Sequence, residues 1–175
     1  MRINSAVLLI FCAGLLLTAC SGFQPRTENS ATQVPLADKR VHISQNSLHE
    51  DILTILQTGL RASGARLVDE PAPGVIALKL ASLREDKTVS AYSSVRQVRE
   101  FNHYIELSFS AARQLSKGIT QTKPGPEPMV ATVRAERTQI YDSRFVLGVS
   151  EEEQIIRDEL RAEVVRLLAL RLSVL

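Results

Sequence analysis

An apolar leader that ends at a cysteine sets the first limit on what this chain can fold into. Arg2 precedes an apolar run over residues 6–17, and Thr18-Ala19 leads directly into Cys20. The run is shorter than the roughly 20 residues that a membrane-spanning helix needs, and its order of basic, apolar and small residues is typical of a cleaved export signal. We therefore expect a lipoprotein signal peptide at residues 1–19 and a membrane-anchoring lipid on the thiol of Cys20.

Removal of this leader leaves one folding unit without a free thiol. Cys12 leaves with the leader and Cys20 takes the lipid, so no cysteine remains for a disulfide, for catalysis or for a metal site. The formal charge falls from +2 to +1 because Arg2 is the only charged residue of the leader. A chain this close to neutral lacks the basic footprint of a nucleic-acid-binding protein.

Ser21, the residue after the lipidated cysteine, bears on the destination of the lipoprotein. An Asp at this position would favour the inner membrane, so with Ser21 we expect the outer membrane.

The mature chain divides into a tether and one domain. Residues 20–37 are polar, contain Pro25 and Pro35, and are expected to link the lipid to the fold. Between residues 38 and 175, short runs alternate apolar and polar residues as half-buried strands do, and two longer runs have helical spacing. Strand candidates lie at residues 39–44, 65–68, 76–80, 104–111 and 129–141. We predict an α+β fold in which two amphipathic helices cover one face of a roughly four-stranded mixed or antiparallel sheet.

Each predicted helix has a start signal. Ser47 stands three residues before Glu50, and Ser150 three before Glu153, which is the spacing of a capping box. Gly64 is expected just after the first helix, because glycine adopts a left-handed conformation at little cost. The second helix carries an apolar stripe of Ile156, Leu160, Val164, Leu167, Leu168 and Leu172.

No group of residues in the mature chain has the spacing of a catalytic or metal-binding site. His42, His49 and His103 fall on different predicted elements without metal-ligand spacing. The acidic run at residues 151–153 suits the positive end of a helix dipole, and Glu85-Asp86 is interpreted as a solvated turn. The sequence therefore predicts a protein that is not an enzyme and needs neither a cofactor nor a metal.

Basic residues gather around the expected connection between two strands, at residues 86–102. Arg84, Lys87, Arg96 and Arg99 lie in or beside this connection. A guanidinium offers two parallel hydrogen bonds to a phosphate, so the connection could contact an anionic ligand. Charges at the end of a hairpin also simply prevent edge pairing. Of the two interpretations, the sequence favours the solvated hairpin end.

The order of these features resembles the LptE family of lipopolysaccharide (LPS)-assembly lipoproteins. The resemblance covers almost the whole mature chain. It rests on the leader and Cys20 with Gly22-Phe23 close behind, Gln33-Val34-Pro35 before the first strand, Tyr104-Ile105-Glu106-Leu107 in a hairpin, and Glu152-Glu153-Gln154-Ile155-Ile156-Arg157 opening the last helix.

This resemblance implies a non-enzymatic outer-membrane lipoprotein with two helices on a four-stranded sheet. Members of the family sit inside the large LptD β-barrel, help it fold, and help deliver LPS to the cell surface. Their basic residues are associated with LPS contact. Arg157 matches one such position and Arg96 lies near another, so we take Arg96, Arg99 and Arg157 as candidates for contact with LPS.

Two other classes of protein remain open from the sequence. A generic periplasmic scaffolding or binding lipoprotein, serving another outer-membrane or peptidoglycan machine, would expose an apolar patch to its partner. A lipid-anchored hydrolase would have a deep pocket with convergent polar groups. A barrel plug, in contrast, would show polar side chains on the outer face of its sheet.

Overall fold

The computed structural model describes residues 34–115, 127–142 and 146–175. The predicted signal peptide, Cys20 and the tether as far as residue 33 lie outside the described residues. In chain order the elements are β1 (Arg40–Asn46), α1 (Glu50–Ala62), β2 (Arg66–Leu67), β3 (Ile76–Tyr92), β4 (Val98–Arg113), β5 (Met129–Ile140) and α2 (Val146–Leu172).

The strands form one mixed sheet in the order β2-β1-β3-β4-β5. β1 runs parallel to β2 and β3, whereas β3, β4 and β5 are antiparallel neighbours. Both helices pack on the same face of this sheet. The predicted α+β class and two-layer arrangement are therefore confirmed. The sheet has five strands rather than about four, because the crossover through α1 returns the chain beside β1 for the two residues of β2.

The core lies between the helices and one face of the sheet. Period-two alternation puts every second strand residue on this face. On β5, the alternate residues that face the helices include the buried Val133 and Ala135. The predicted stripe of α2 is also confirmed, with Leu167 partly buried and the other members buried. Full burial of one such aliphatic side chain stabilises the fold by roughly 1.5–3 kcal/mol. Leu36 is fully buried as well, so the packed chain begins before β1.

The hairpin of β3 and β4 is much longer than the sequence predicts. The expected connection at residues 86–102 is wrong, because the two strands stay paired as far as Tyr92 and Val98. A register shift between Leu80 and Ser82 moves the alternation by one residue. Beyond this shift, charged residues occupy both faces of the strands. The alternation of apolar and polar residues, by which a strand is recognised in a sequence, is therefore lost.

Both predicted capping boxes are absent. The residue that caps α1 is His49, whose side chain makes no capping hydrogen bond, and the Leu48 N–H donates instead to Asn46 Oδ1 at 2.7 Å. α2 begins at Val146, so Ser150 lies inside the helix. The end of α1 is as predicted, with Gly64 at a φ of 90°. Neither helix of the described chain is both long and apolar enough to span a bilayer.

Candidate functional site

A polar cleft separates the outer half of the β3–β4 hairpin from the first turns of α2. Its volume is about 410 Å³. Glu85 and Lys87 project into it because they share the helix-facing side of β3 with the partly buried Leu83. The lining residues are Glu85, Asp86, Lys87, His103, Tyr104, Ile105, Glu153, Arg157 and Leu160.

Glu85 is the central acceptor of this cleft. Its carboxylate accepts from Arg161 Nε at 2.8 Å and from Arg161 Nη2 at 3.1 Å. Arg157 Nε lies 3.8 Å from the same carboxylate. The side chains of Arg161 and Glu85 are only 21% and 25% exposed. This two-pronged pair joins β3 to α2 across a partly buried interface. The prediction that Glu85-Asp86 forms a solvated turn is therefore wrong.

Gln139 forms a second link between the sheet and α2. It is 1% exposed, accepts from His103 Nε2 at 2.9 Å, and donates to Glu152 Oε2 at 2.9 Å. Lys87 pairs with Glu153 beside it. Glu152 and Glu153 therefore dock the start of α2 onto the sheet, and the cation that Glu153 meets is Lys87 of this protein.

The sheet surface opposite the helices, which we call the open face, is polar. In the described chain no helix covers it, and its side chains are mostly exposed. It comprises Lys79, Ser82, Arg84, Asp86 and Thr88 of β3, Asn102, Tyr104, Glu106, Ser108 and Ser110 of β4, and Val130, Thr132, Arg134, Glu136, Thr138 and Ile140 of β5.

Tyr104 is the one buried side chain of the open face, at 8% exposed. The guanidinium carbons of Arg134 and Arg84 lie 4.0 Å and 5.6 Å from the centre of its ring. Both arginines therefore make cation–π contacts with Tyr104. Its hydroxyl donates to Asp86 Oδ2 at 3.1 Å. Burial, assisted by this hydrogen bond, raises the pKa of Tyr104. The hydrogen bond from Arg84, with those from the Lys87 N–H and Tyr104, lowers the pKa of Asp86.

The structure does not bring the three predicted LPS-contact residues together. Arg157 lines the cleft and is 48% exposed. Arg96 lies in the turn beyond β3 with a φ of 61°, and Arg99 lies on β4 rather than in a loop. At about 3.3 Å per strand residue, the turn stands roughly 20 Å or more beyond Glu85. Within the described residues, Arg96 and Arg99 have no carboxylate partner.

The other two basic residues near the expected connection, Arg84 and Lys87, are paired within the fold. Arg84 pairs with Asp86 at 2.8 Å on the open face, and Lys87 pairs with Glu153 on the opposite face. These two cations are therefore neutralised within the fold, because successive strand residues point to opposite sides and meet different partners.

Sequence reasoning missed Glu85, Tyr104, Arg134 and Gln139 as organising residues. The sequence did carry a signal for Glu85. Leu83, Glu85, Lys87 and Val89 are alternate residues of β3 and therefore share one face of the strand. The sequence carried no comparable signal for Gln139, because its burial depends on where α2 docks. Among the described residues, no three His, Cys, Asp or Glu side chains are arranged to hold a metal ion.

Two helices on one face of a mixed five-stranded sheet, with a polar open face on the other side, define a two-layer α+β domain. The sequence matches the family described as LptE: Lipopolysaccharide-assembly over residues 33–172. The chain therefore belongs to this family, and it is a non-enzymatic LPS-assembly lipoprotein of the cell envelope. No curated protein matches the sequence.

Solved structures of lipoproteins share this fold. The rare lipoprotein B of Shewanella oneidensis is 17% identical, with a TM-score of 0.57 over 73% of this chain and 89% of that one. A minor lipoprotein of Acinetobacter baumannii is 17% identical, with a TM-score of 0.56 over 80% and 94%. Lipoprotein B of Nitrosomonas europaea is 17% identical, with a TM-score of 0.61 over 87% and 90%. At this identity the likeness establishes the fold alone.

Proposed function

We propose that this lipoprotein occupies the lumen of an LptD-type outer-membrane β-barrel, stabilises the barrel during its assembly and assists the delivery of LPS to the cell surface. Membership of the LptE family supports this role. The observation that carries the proposal is the open face, a broad polar surface on three long antiparallel strands.

The chemistry of the open face suits a barrel lumen. The interior of an outer-membrane barrel is polar, so a plug needs polar rather than apolar contacts with its wall. Several charges of the open face are already neutralised: Arg134 lies 3.5 Å from Glu106 and 3.2 Å from Glu136. Ser108 and Thr132 share a hydrogen bond of 3.1 Å. Enclosing these paired groups avoids the burial of unpaired charge, which would cost several kcal/mol.

Depletion and co-purification test this role. Loss of the protein should leave the barrel poorly assembled and LPS missing from the surface, and a tagged copy should co-purify with the barrel in detergent. A photoreactive residue in place of Ser82 on the open face should crosslink to the barrel. Normal barrel levels and normal surface LPS after depletion would contradict the proposal.

The anchor belongs to the same proposal. We expect the mature protein to begin at lipidated Cys20 and the segment between Cys20 and the packed Leu36 to tether the domain to the inner leaflet of the outer membrane. Intact mass of membrane-extracted protein should show the acyl groups, and Cys20→Ala should abolish them. An unmodified amino terminus at another residue would contradict the anchor.

Contact with LPS would come from two separate places, the hairpin end with Arg96 and Arg99 and the cleft with Arg157. Charge-assisted contacts are weakened by salt, so LPS binding should fall as ionic strength rises. Arg96→Gln/Arg99→Gln and Arg157→Gln should each weaken binding and leave the Glu85–Arg161 pair intact. Arg171→Gln, at the far end of α2, is the control. Equal binding by all variants would remove these residues from LPS contact.

One observation favours the alternative, a scaffolding or binding lipoprotein for another outer-membrane or peptidoglycan machine. An open groove of about 590 Å³ runs between α1 and α2. Its walls are largely apolar and include Ile55, which is 37% exposed. If the barrel is unaffected by depletion, this groove is the surface at which to seek a partner. Ile55→Asp should then abolish binding of that partner.

A further inference from the structure

β5 leaves one edge of the sheet without a strand neighbour among the described residues. The strand order puts β5 at the end of the sheet, and its 12 residues contain no proline. An edge strand presents a row of unpaired backbone N–H and C=O groups that pair readily with another strand. The opposite edge is different, because β2 has only two residues.

The side chains of β5 are ordered so that a second, antiparallel β5 complements them. A two-fold axis at Ala135 defines the register. The facing pairs would be Arg134 with Glu136, Thr132 with Thr138 and Val130 with Ile140. Opposite charges, paired threonines and paired β-branched side chains are all favourable cross-strand neighbours. Val130 and Ile140 are 79% and 77% exposed in the single chain, so they gain from such a pairing.

One flank of α2 lies directly above this edge. Arg137 Nη2 lies 2.9 Å from Glu159 Oε2, and Gln139 Nε2 donates to Glu152 Oε2 at 2.9 Å. The later strand residue contacts the earlier helix residue, so α2 runs antiparallel to β5. Ile155 and Leu170 share this flank with Glu159 by helical spacing. They are 55% and 42% exposed.

The same two-fold axis makes this flank self-complementary. A strand rises about 3.3 Å and a helix about 1.5 Å per residue, so the axis through Ala135 passes near Ala162 of α2. The facing pair would be Ile155 with Leu170 of the second copy. This apolar pair would form twice across the helix interface.

The spacing of the two helices also fits. α2 packs over both β4 and β5, so its axis stands about one strand spacing from the two-fold axis. Strands lie about 4.8 Å apart, which puts the two copies of α2 about 10 Å from each other. Packed helices are about 8–10 Å apart.

We propose that two copies of this chain associate through their β5 edges and α2 flanks to form a two-fold symmetric dimer with one continuous sheet. The contact is isologous, as in most homodimers. The proposal goes beyond the role in the barrel and does not depend on it. The dimer is the form of the protein outside a barrel, in which pairing removes the exposed edge.

Disulfide trapping tests the register. Full-length Thr132→Cys and Thr138→Cys proteins, each with its own tag, are mixed under mild oxidation with micelles in large excess. Opposed strand residues have Cα atoms about 4.5–5.5 Å apart, within the range of a disulfide. The mixture should give a heterodimer, and either variant alone should give none, because identical positions would be about 20 Å apart. Thr88→Cys mixed with Thr132→Cys is the control, and trapping no greater than this control would overturn the proposal.

Charge reversal tests the energetics by sedimentation equilibrium of the full-length protein. Glu136→Arg would set Arg134 against an arginine twice, and should raise the dimer dissociation constant by at least about tenfold. Arg134→Glu/Glu136→Arg should restore dimerisation, because each facing pair regains opposite signs. Lys79→Glu, also on the open face but on β3, should leave it unchanged. A monomeric wild type, or a Glu136→Arg protein that dimerises as the wild type does, would overturn the proposal.

Discussion

Glu85 holds the long hairpin against α2. Its carboxylate receives both prongs of the Arg161 guanidinium at 2.8 and 3.1 Å, where neither side chain is more than 25% exposed. Glu163 receives Arg166 in the same two-pronged way, at 2.8 and 2.6 Å, but this pair lies within one helix and is 41% and 57% exposed. The two pairs have the same chemistry and differ in burial and in the elements that they join.

Neutralising each carboxylate separates these effects. Glu85→Gln should lower the free energy of unfolding by about 1.5–3 kcal/mol, because it weakens a charged hydrogen-bonded pair that water screens poorly. Glu163→Gln should lower it by only about 0.3–0.5 kcal/mol, the usual range for an exposed pair along a helix. Urea unfolding of both variants measures the difference. Equal losses would mean that Glu85 does not fix the hairpin.

Tyr104 gives the molecule a dependence on alkaline pH. Burial raises the pKa of its hydroxyl, and the hydrogen bond to Asp86 adds to this effect. The folded state therefore favours the neutral phenol. This contribution is complete below the ordinary tyrosine pKa of about 10 and is lost as pH rises through the higher pKa of the folded state. Thermal stability should thus fall more steeply above pH ~10 in the wild type than in Tyr104→Phe. Tyr92→Phe, at a residue 64% exposed, should keep the wild-type slope.

At the scale of elements, the close contact of α1 and α2 depends on Gly59. A Cβ at this position would overlap the Val165 side chain, which is only 4% exposed and has little room to move. Gly148, near the start of α2, has no neighbouring atom within 4 Å of such a Cβ. Helix packing therefore requires glycine at position 59, whereas it places no constraint on the residue at position 148.

Alanine substitutions at these two glycines should have opposite effects. Gly59→Ala should destabilise the fold by about 1–3 kcal/mol, because overpacking forces the helices apart. Gly148→Ala should stabilise it by roughly 0.5–1 kcal/mol, since alanine loses less backbone freedom in a helix. Chemical denaturation measures both changes. A stabilising Gly59→Ala would show that α1 can move away from α2 without cost.

At the scale of the whole molecule, the sheet extends beyond the area that the helices cover. The hairpin passes the links at Glu85 and Gln139 and continues to its turn at residues 93–97. Val89, Tyr92 and Val95 are 38%, 64% and 71% exposed there. With few buried contacts, this end should open locally at much lower free energy than the core strands.

Amide hydrogen exchange measures this gradient. The amides of residues 89–100 should exchange at least about a hundredfold faster than those of residues 78–83 and 105–109, which pair beneath the helices. Glu85→Gln should move the boundary of fast exchange towards the core, whereas Glu163→Gln should leave it in place. Uniform protection along the hairpin would contradict a projecting end that opens locally.

The sequence by itself determined the class of fold and most of its core. The stripe of α2 and the alternation of Ile105, Leu107 and Phe109 bury the same residues in any compact arrangement, because apolar periodicity is a local property of the chain. The left-handed Gly64 is local too. The α+β class, the two helices and the end of α1 followed from these signals alone.

Only the tertiary structure decided the arrangement of the charged residues. Past Leu83, polar side chains occupy both faces of the hairpin, so the local pattern of a strand fades although its pairing persists. The links at Glu85 and Gln139 exist because α2 docks over them. The separation of Arg96 from Arg157 follows from the length of the hairpin. Ion pairs and buried amides join residues that are distant in sequence, and no spacing along the chain encodes which of them meet.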